Sequence, residues 1–172
     1  MFWYRDDFSI RGEMPGVDGS PHRGMSQRLR HHLSASVFVA LWRSSEVCML
    51  RRIGTGWMDG SFSIPAGALE SGETIRMAAV REAHEEVGVR INPHDLVYVH
   101  TLHSLTAGND WVGHFFTARV WAGTPRICEP ARHSDIAWYP AACLPEPTIP
   151  YVRQALLCID AGSIYSEFGW SD

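Results

Sequence analysis

The chain has 172 residues, 45% of them apolar and 20% charged, with a formal net charge of −4. Length and apolar content suit one globular domain with a buried core and exclude a collagen, a coiled coil or a wholly disordered chain. The acidic balance argues against a broad electrostatic grip on a nucleic-acid polymer, and because all fifteen basic residues are arginine, a catalytic or phosphate-loop lysine is excluded.

Residues 1–34 carry Gly12, Pro15, Gly16, Gly19, Pro21 and Gly24 without sustained periodicity, which predicts a loop-like leader. Met1 to Asp7 lacks the basic flank and apolar stretch of a signal peptide. The densest apolar run, Val37 to Trp42, is too short to span a bilayer, so a cytoplasmic protein without a membrane partner is expected. Residues 36–42 and 46–52 are apolar and rich in β-formers, and the polar Arg43-Ser44-Ser45 between them predicts a hairpin. A glycine-punctuated loop follows from Gly54 to Gly60. Residues 74–87 predict a helix: Thr74 can cap it, Ile75, Ala79, Ala83 and Val87 recur every fourth position, and Gly88 stops it. Strands are expected at 96–103 and 111–121, with a turn through Ala107-Gly108-Asn109-Asp110, and at 135–139. Prolines 140, 145, 147 and 150 lead into a last helix at 151–160. Helices interleaved with strands indicate one α/β domain over residues 35–161, followed by an aromatic tail at 162–172. Cys48, Cys128, Cys143 and Cys158 include no close pair of zinc-binding type, which points to free thiols in a reducing compartment.

The chemistry concentrates in GALESGETIRMAAVREAHEEVGV, from Gly67 to Val89. On a helix, Glu82, Glu85 and Glu86 fall at i, i+3 and i+4, so their carboxylates share one face. Like charges at that spacing destabilise a bare helix and invite a cation, and carboxylate oxygens suit Mg²⁺ or Mn²⁺. Arg81 stands four residues before Glu85 and can brace it, and Glu73 lies ahead of the helix within reach of Arg81. On the glutamates alone, a solvated acidic face is the better explanation.

The whole segment, however, resembles the signature of the Nudix hydrolase family, Gly-x5-Glu-x7-Arg-Glu-U-x-Glu-Glu-x-Gly-U, where U is a bulky apolar residue. Gly67, Glu73, Arg81, Glu82, Glu85, Glu86 and Gly88 occupy all the fixed positions with correct spacing, and Ala83 and Val89 occupy the U positions, Ala83 being smaller than usual. A chance match somewhere in such a chain has odds on the order of one in a million. Met49-Leu50-Arg51-Arg52, Pro65-Ala66-Gly67 and Ile136-Ala137-Trp138-Tyr139-Pro140 with Leu144-Pro145 extend the likeness over about residues 35–160.

The resemblance implies an α/β/α sandwich with a central mixed sheet and hydrolysis of a nucleoside diphosphate linked to another moiety. It implies that Glu82, Glu85 and Glu86, with a carbonyl near Ala66 or Gly67, hold Mg²⁺ or Mn²⁺, and that a metal-activated water attacks phosphorus. Glu85 is the preferred general base and Glu86 its rival. Family members often add an acidic residue beyond the signature, for which Glu129 is the best candidate here. Arg51 and Arg52 can contact phosphates with their planar forks, but neighbours on a strand face opposite ways, so at most one enters the cleft. Trp57, in the glycine-rich loop, is either a nucleobase-stacking indole or a plug on the core. His100, His103 and His114, on expected strands, suit structural or substrate-contact roles better than a hard-metal site.

The expected partner is a small-molecule nucleotide, most simply a nucleoside triphosphate or a small nucleotide derivative; a homodimer stays open. Two other classes stay open as well: a non-catalytic Nudix-like nucleotide sensor, and a metal-dependent isomerase of diphosphate esters using Cys48 or Cys128.

Overall fold

Two diverging strand pairs organise the molecule, whose computed structural model describes residues 31–170. The leader expected over residues 1–34 lies, up to residue 30, outside the described residues. In chain order the strands are β1 (Ser34–Arg43), β2 (Glu46–Arg52), β3 (Phe62–Ser63), β4 (Ala66–Ala68), β5 (Val97–Thr106), β6 (Asn109–Ala118), β7 (His133–Pro140) and β8 (Tyr165–Phe168). The helices are α1 (Ile75–Val87) and α2 (Pro150–Asp160), with a 3₁₀ turn at Pro93–Asp95.

The expected hairpin forms, with Ser44 at φ 55° in its turn. Its strands pair only beside the turn, Trp42 with Val47 and Arg43 with Glu46. Further back, β1 leaves β2 and pairs with β4 on one edge, antiparallel over Ser36–Phe38, and with β6 on the other, parallel over Ser34–Leu41. β2 takes β3 and β7 instead, both antiparallel. β5 and β6 form a second hairpin through Ala107 and Gly108, both at positive φ, the geometry of a tight two-residue turn.

β1 is buried on both faces, as its unbroken apolar run requires. Val37, Val39 and Leu41 join Ala78, Ala79, Ala83 and Val87 of α1 in one core. Phe38, Ala40 and Trp42 join Tyr151, Val152, Ala155 and Leu156 of α2 in the other. The fold is the expected α/β/α sandwich around a mixed sheet. Ala83, small for its position in the signature, is fully buried against the sheet, where a short side chain lets α1 sit close.

Two expectations need correction, and two short strands are added. The strand expected to run to residue 121 ends at Ala118, and the chain then turns so that Trp121 stacks on Trp138, ring centroids 6.1 Å apart. β3 and β4 were not foreseen, because strands of two and three residues leave no alternation to read. The segment expected at 162–172 as a tail beyond the domain contains β8, which pairs parallel with β5. Buried His100 ties that strand down, one ring nitrogen on the Ser163 carbonyl at 2.8 Å and the other on the Ser166 hydroxyl at 2.9 Å.

Candidate active site

Helix α1 starts and stops where its sequence dictates. The Thr74 hydroxyl accepts from the Met77 N–H, and Gly88 closes the helix at φ 71°, its N–H donating to the His84 carbonyl. With those ends set, Glu82 and Glu86 lie side by side one turn apart, both buried, and Glu85 sits beside them with its side chain 49% exposed.

Arg81 is the hub of this face. Its Nε and Nη2 donate to the two oxygens of Glu73 at 3.2 and 2.7 Å, Nη1 donates to Glu82 Oε1 at 2.7 Å and Glu85 Oε2 at 3.1 Å, and Nη2 also donates to the Ala68 carbonyl at 3.0 Å. A guanidinium has five N–H donors, and these bonds employ them all. One side chain thus fixes the loop before the helix, strand β4 and two carboxylates. The hydrogen bond from Arg81 is the main reason the Glu73 carboxyl is held below its usual range.

Gly67 is required by contact rather than by backbone conformation. A Cβ there would overlap the Glu82 carboxylate, which lies directly on the glycine. One residue earlier, the Ala66 N–H donates to Glu86 Oε2 at 3.0 Å. Strand β4 is therefore pressed against both buried glutamates.

The other wall comes from the segment before β7. The Arg126 and Cys128 N–H groups donate to the Val87 and Glu86 carbonyls at 3.1 and 3.0 Å, satisfying acceptors that the end of α1 leaves open. Docked in this way, the segment delivers Glu129 and His133. Donor atoms of Glu86, Glu129 and His133 all lie within 4.8 Å of one another. His133 is 3% exposed, and its Nε2 stands 3.8 Å from Glu86 Oε1, beyond hydrogen-bond length.

The two arginines on β2 part company. Paired residues of an antiparallel ladder share a face, and Arg52 is paired with His133 while Arg51 is paired with Phe62. Arg52 accordingly lies close enough to Glu86 and His133 to perturb both. Arg51 is exposed, donates to the Gly60 carbonyl at 3.0 Å and lies over the Phe62 ring, away from the carboxylates. Arg52 also supports the glycine loop, bonding the Trp57 carbonyl at 3.1 Å and Thr55 Oγ1 at 3.0 Å. Asp59 folds that loop inward by accepting from the Thr55 hydroxyl and the Thr55 and Gly56 N–H groups. Trp57 is 36% exposed. Nearby Tyr151 is buried in the core, and burial holds its hydroxyl above the usual pKa.

Of the histidines read from sequence, none belongs to this group: His100 is tied to β8, His114 Nδ1 meets the Tyr98 hydroxyl at 2.9 Å, and His103 lies under Trp170. His133 is the residue that sequence reasoning missed. The available signal was its place four residues after Glu129, at the entrance of a strand.

Electrostatics fit this cluster to a divalent cation. Burial pushes the Glu86 carboxyl up to about 8, with the charges of Glu82 and Glu129 adding to the rise and the Ala66 N–H and Arg52 opposing it. Burial raises Glu82 too, against the pull of Arg81. Burial, aided by Arg52 and Arg132, lowers His133 to about 4, so its ring is neutral at pH 7. Crowded carboxylates and a neutral imidazole are donors that a cation relieves. A pH dependence follows. Between pH 6.5 and 8, folded Glu86 keeps most of a proton that the unfolded chain has released, and this outweighs the partial charge that unfolded His133 still carries near pH 6.5. The cation-free protein should therefore lose stability as pH rises through this window, by about 1.4 kcal/mol per unit at most. Thermal melts in EDTA at the two ends check this; a melting temperature that climbs toward pH 8 contradicts it. Added Mg²⁺ should flatten the slope by favouring the ionised carboxylate.

Comparison with known proteins agrees with this architecture. Residues 30–156 match the NUDIX domain. The chain is 32% identical over 122 residues to the human 8-oxo-dGDP phosphatase NUDT18, covering 70% of this chain and 36% of that protein. It is 38% identical over 71 residues to the NAD-capped RNA hydrolase NudC of Pseudomonas aeruginosa, covering 41% of this chain and 24% of that one. It thus spans about a third or less of these relatives' lengths. Among solved structures, the MutT NUDIX hydrolase of Burkholderia pseudomallei superposes with a TM-score of 0.68 at 25% identity, covering 74% of this chain and 98% of that one. With the signature intact, Glu82, Glu85 and Glu86 gathered on one helix face and residues 30–156 matched, the chain belongs to the NUDIX family.

Proposed function

We propose that this protein is a pyrophosphohydrolase acting on a nucleoside diphosphate linked to another group, with a nucleoside triphosphate or a small nucleotide derivative as substrate. The observation that carries this reading is the carboxylate face of α1, closed by Arg81 on one side and by Glu129 and His133 on the other. Glu82, Glu85 and Glu86 would hold Mg²⁺ or Mn²⁺, with the Gly67 carbonyl and Glu129 completing the set. When bound, such a cation supplies Lewis-acid polarisation of a phosphoryl oxygen and neutralises charge on the leaving phosphate.

The chain's own groups do the rest. Arg81 uses one oxygen each of Glu82 and Glu85, leaving the other to a ligand. Glu85, the most exposed of the three and oriented by Arg81, is placed to take a proton from the attacking water. Glu86, buried and gripped by the Ala66 N–H, is better suited to holding charge in place. Arg52 brings a guanidinium to the same face for a phosphate oxygen. Attack is direct on phosphorus, without a covalent enzyme intermediate. Names of relatives support the substrate class: one is an 8-oxo-dGDP phosphatase and another an NAD-capped RNA hydrolase. The free cysteines, and the lack of any helix long and apolar enough to cross a membrane among the described residues, support a cytoplasmic site of action.

A panel of nucleoside triphosphates, oxidised and ordinary nucleoside diphosphates, nucleotide sugars, dinucleotides and prenyl diphosphates, assayed for released phosphate and pyrophosphate with Mg²⁺ or Mn²⁺, tests the proposal. Hydrolysis of nucleotides is expected. No turnover of any member overturns it, and a rearranged diphosphate ester with no ¹⁸O from labelled water selects isomerisation. Within an active panel, Trp57→Ala should raise KM for the preferred nucleotide roughly 5- to 150-fold, the loss of a stacking contact of about 1 to 3 kcal/mol. A KM unchanged across bases would remove Trp57 from substrate binding.

A further inference from the structure

The imidazole of His133 is 3% exposed, and among the described residues its buried Nδ1 has no hydrogen-bond partner. Nε2, the nitrogen that faces Glu86, stands beyond hydrogen-bond length from it. The local backbone explains how the ring comes to face the carboxylates. Across the ladder, Arg51 opposes Asp135 but Arg52 opposes His133, so Ser134 is an extra residue in β7. Such a bulge reverses which face the following side chain takes and is typical beside functional sites. Without it, Arg52 would face Ser134, and His133 would point away from α1. The Glu129 carbonyl, accepting the His133 N–H at 3.0 Å, then holds the two residues in one turn.

We infer that His133 is a nitrogen ligand of the cation held by Glu86 and Glu129, and that it shifts the centre's preference from Mg²⁺ toward Mn²⁺ and other borderline cations. The inference rests on the reading of the carboxylate face as a cation site. His133 Nε2 stands 3.8 Å from Glu86 Oε1, near enough for both atoms to reach one cation. A hydrogen-bonded His–Glu pair would have to be closer, and a packing role would not need a bulge. Imidazole is a softer donor than carboxylate: Mg²⁺ gains little from it, whereas Mn²⁺ and Co²⁺ accept nitrogen readily. Swapping one oxygen donor for nitrogen therefore changes selectivity more than total affinity for hard ions.

The test uses the full chain and Mn²⁺ alone. Continuous-wave EPR of free Mn²⁺ measures binding without turnover, and pulsed EPR of the bound ion reads modulation from a directly coordinated ¹⁴N. Wild type should bind Mn²⁺ and show imidazole modulation. His133→Gln should lose the modulation and bind Mn²⁺ about 10- to 100-fold more weakly, while its Mg²⁺ affinity, read by competition, moves less than about threefold. If that variant does not fold, wild type grown with ¹⁵N-histidine decides: the coupling pattern must change, and among the described residues His133 is the histidine grouped with these carboxylates. Bound Mn²⁺ with no nitrogen coupling overturns the inference and leaves the carboxylate site standing. Absence of Mn²⁺ binding overturns both. Equal weakening of Mn²⁺ and Mg²⁺ in His133→Gln reduces the residue to a structural part and overturns the inference as well.

Discussion

Replacing Glu86 with glutamine should lower turnover by roughly two to four orders of magnitude while the protein stays folded. The fold survives because glutamine keeps an oxygen for the Ala66 N–H and removes a carboxyl whose ionisation burial already opposes. In the absence of cations the variant should melt no lower than wild type, and the loss of stability between pH 6.5 and 8 should shrink. Activity falls for the opposite reason, since a neutral amide cannot balance a cation. Glu85→Gln should lose activity to a similar degree through the missing base, with little effect on melting, because Glu85 is half exposed. Steady-state rates at saturating Mg²⁺, paired with thermal melts, check both. Near wild-type rates in the two variants would sink the site assignment.

Arg81→Ala should be the most damaging single change to stability. It leaves buried Glu82 beside Glu73 and Glu85 with no counter-charge and strips the Ala68 carbonyl of its donor. Removing one partner of a buried ion pair costs about 3 to 5 kcal/mol, a fall of roughly 10 °C in melting temperature for a domain of this size. Arg81→Lys should recover only part of the loss, because an ammonium cannot fork between three carboxylates. Chemical denaturation separates the two variants. Equal midpoints for wild type and Arg81→Ala would show that the carboxylates do not depend on this hub.

The residues that sequence displayed best were those whose partners are near in the chain. Thr74, Arg81, Glu82, Glu85, Glu86 and Gly88 act within one helix, so spacing alone places them. The hairpin around Ser44 was legible for the same reason. Glu129 and His133 were harder. What puts them beside Glu86 is the docking of the Arg126 and Cys128 N–H groups on α1 and one extra residue in β7, neither of which leaves a periodic trace. The choice between Arg51 and Arg52 likewise needed the ladder register. Strand β8 escaped because four residues with exposed and half-buried side chains resemble any polar tail. Its place in the sheet comes from His100, more than sixty positions away.

The divergence of β1 from β2 has an evolutionary corollary. The loop carrying Trp57 hangs between anchors of its own, the Arg52 N–H on the Ser61 carbonyl and the Gly60 N–H on the Arg52 carbonyl. The contacts that align the glutamates run through Ala66, Gly67 and Arg81, on the far side of β3. Insertions, deletions or grafts between residues 53 and 60 would leave those contacts untouched and reach the carboxylate face only through Arg52, which bonds Thr55 and Trp57. A lineage could exchange this loop without rebuilding the helix, provided Arg52 keeps its support.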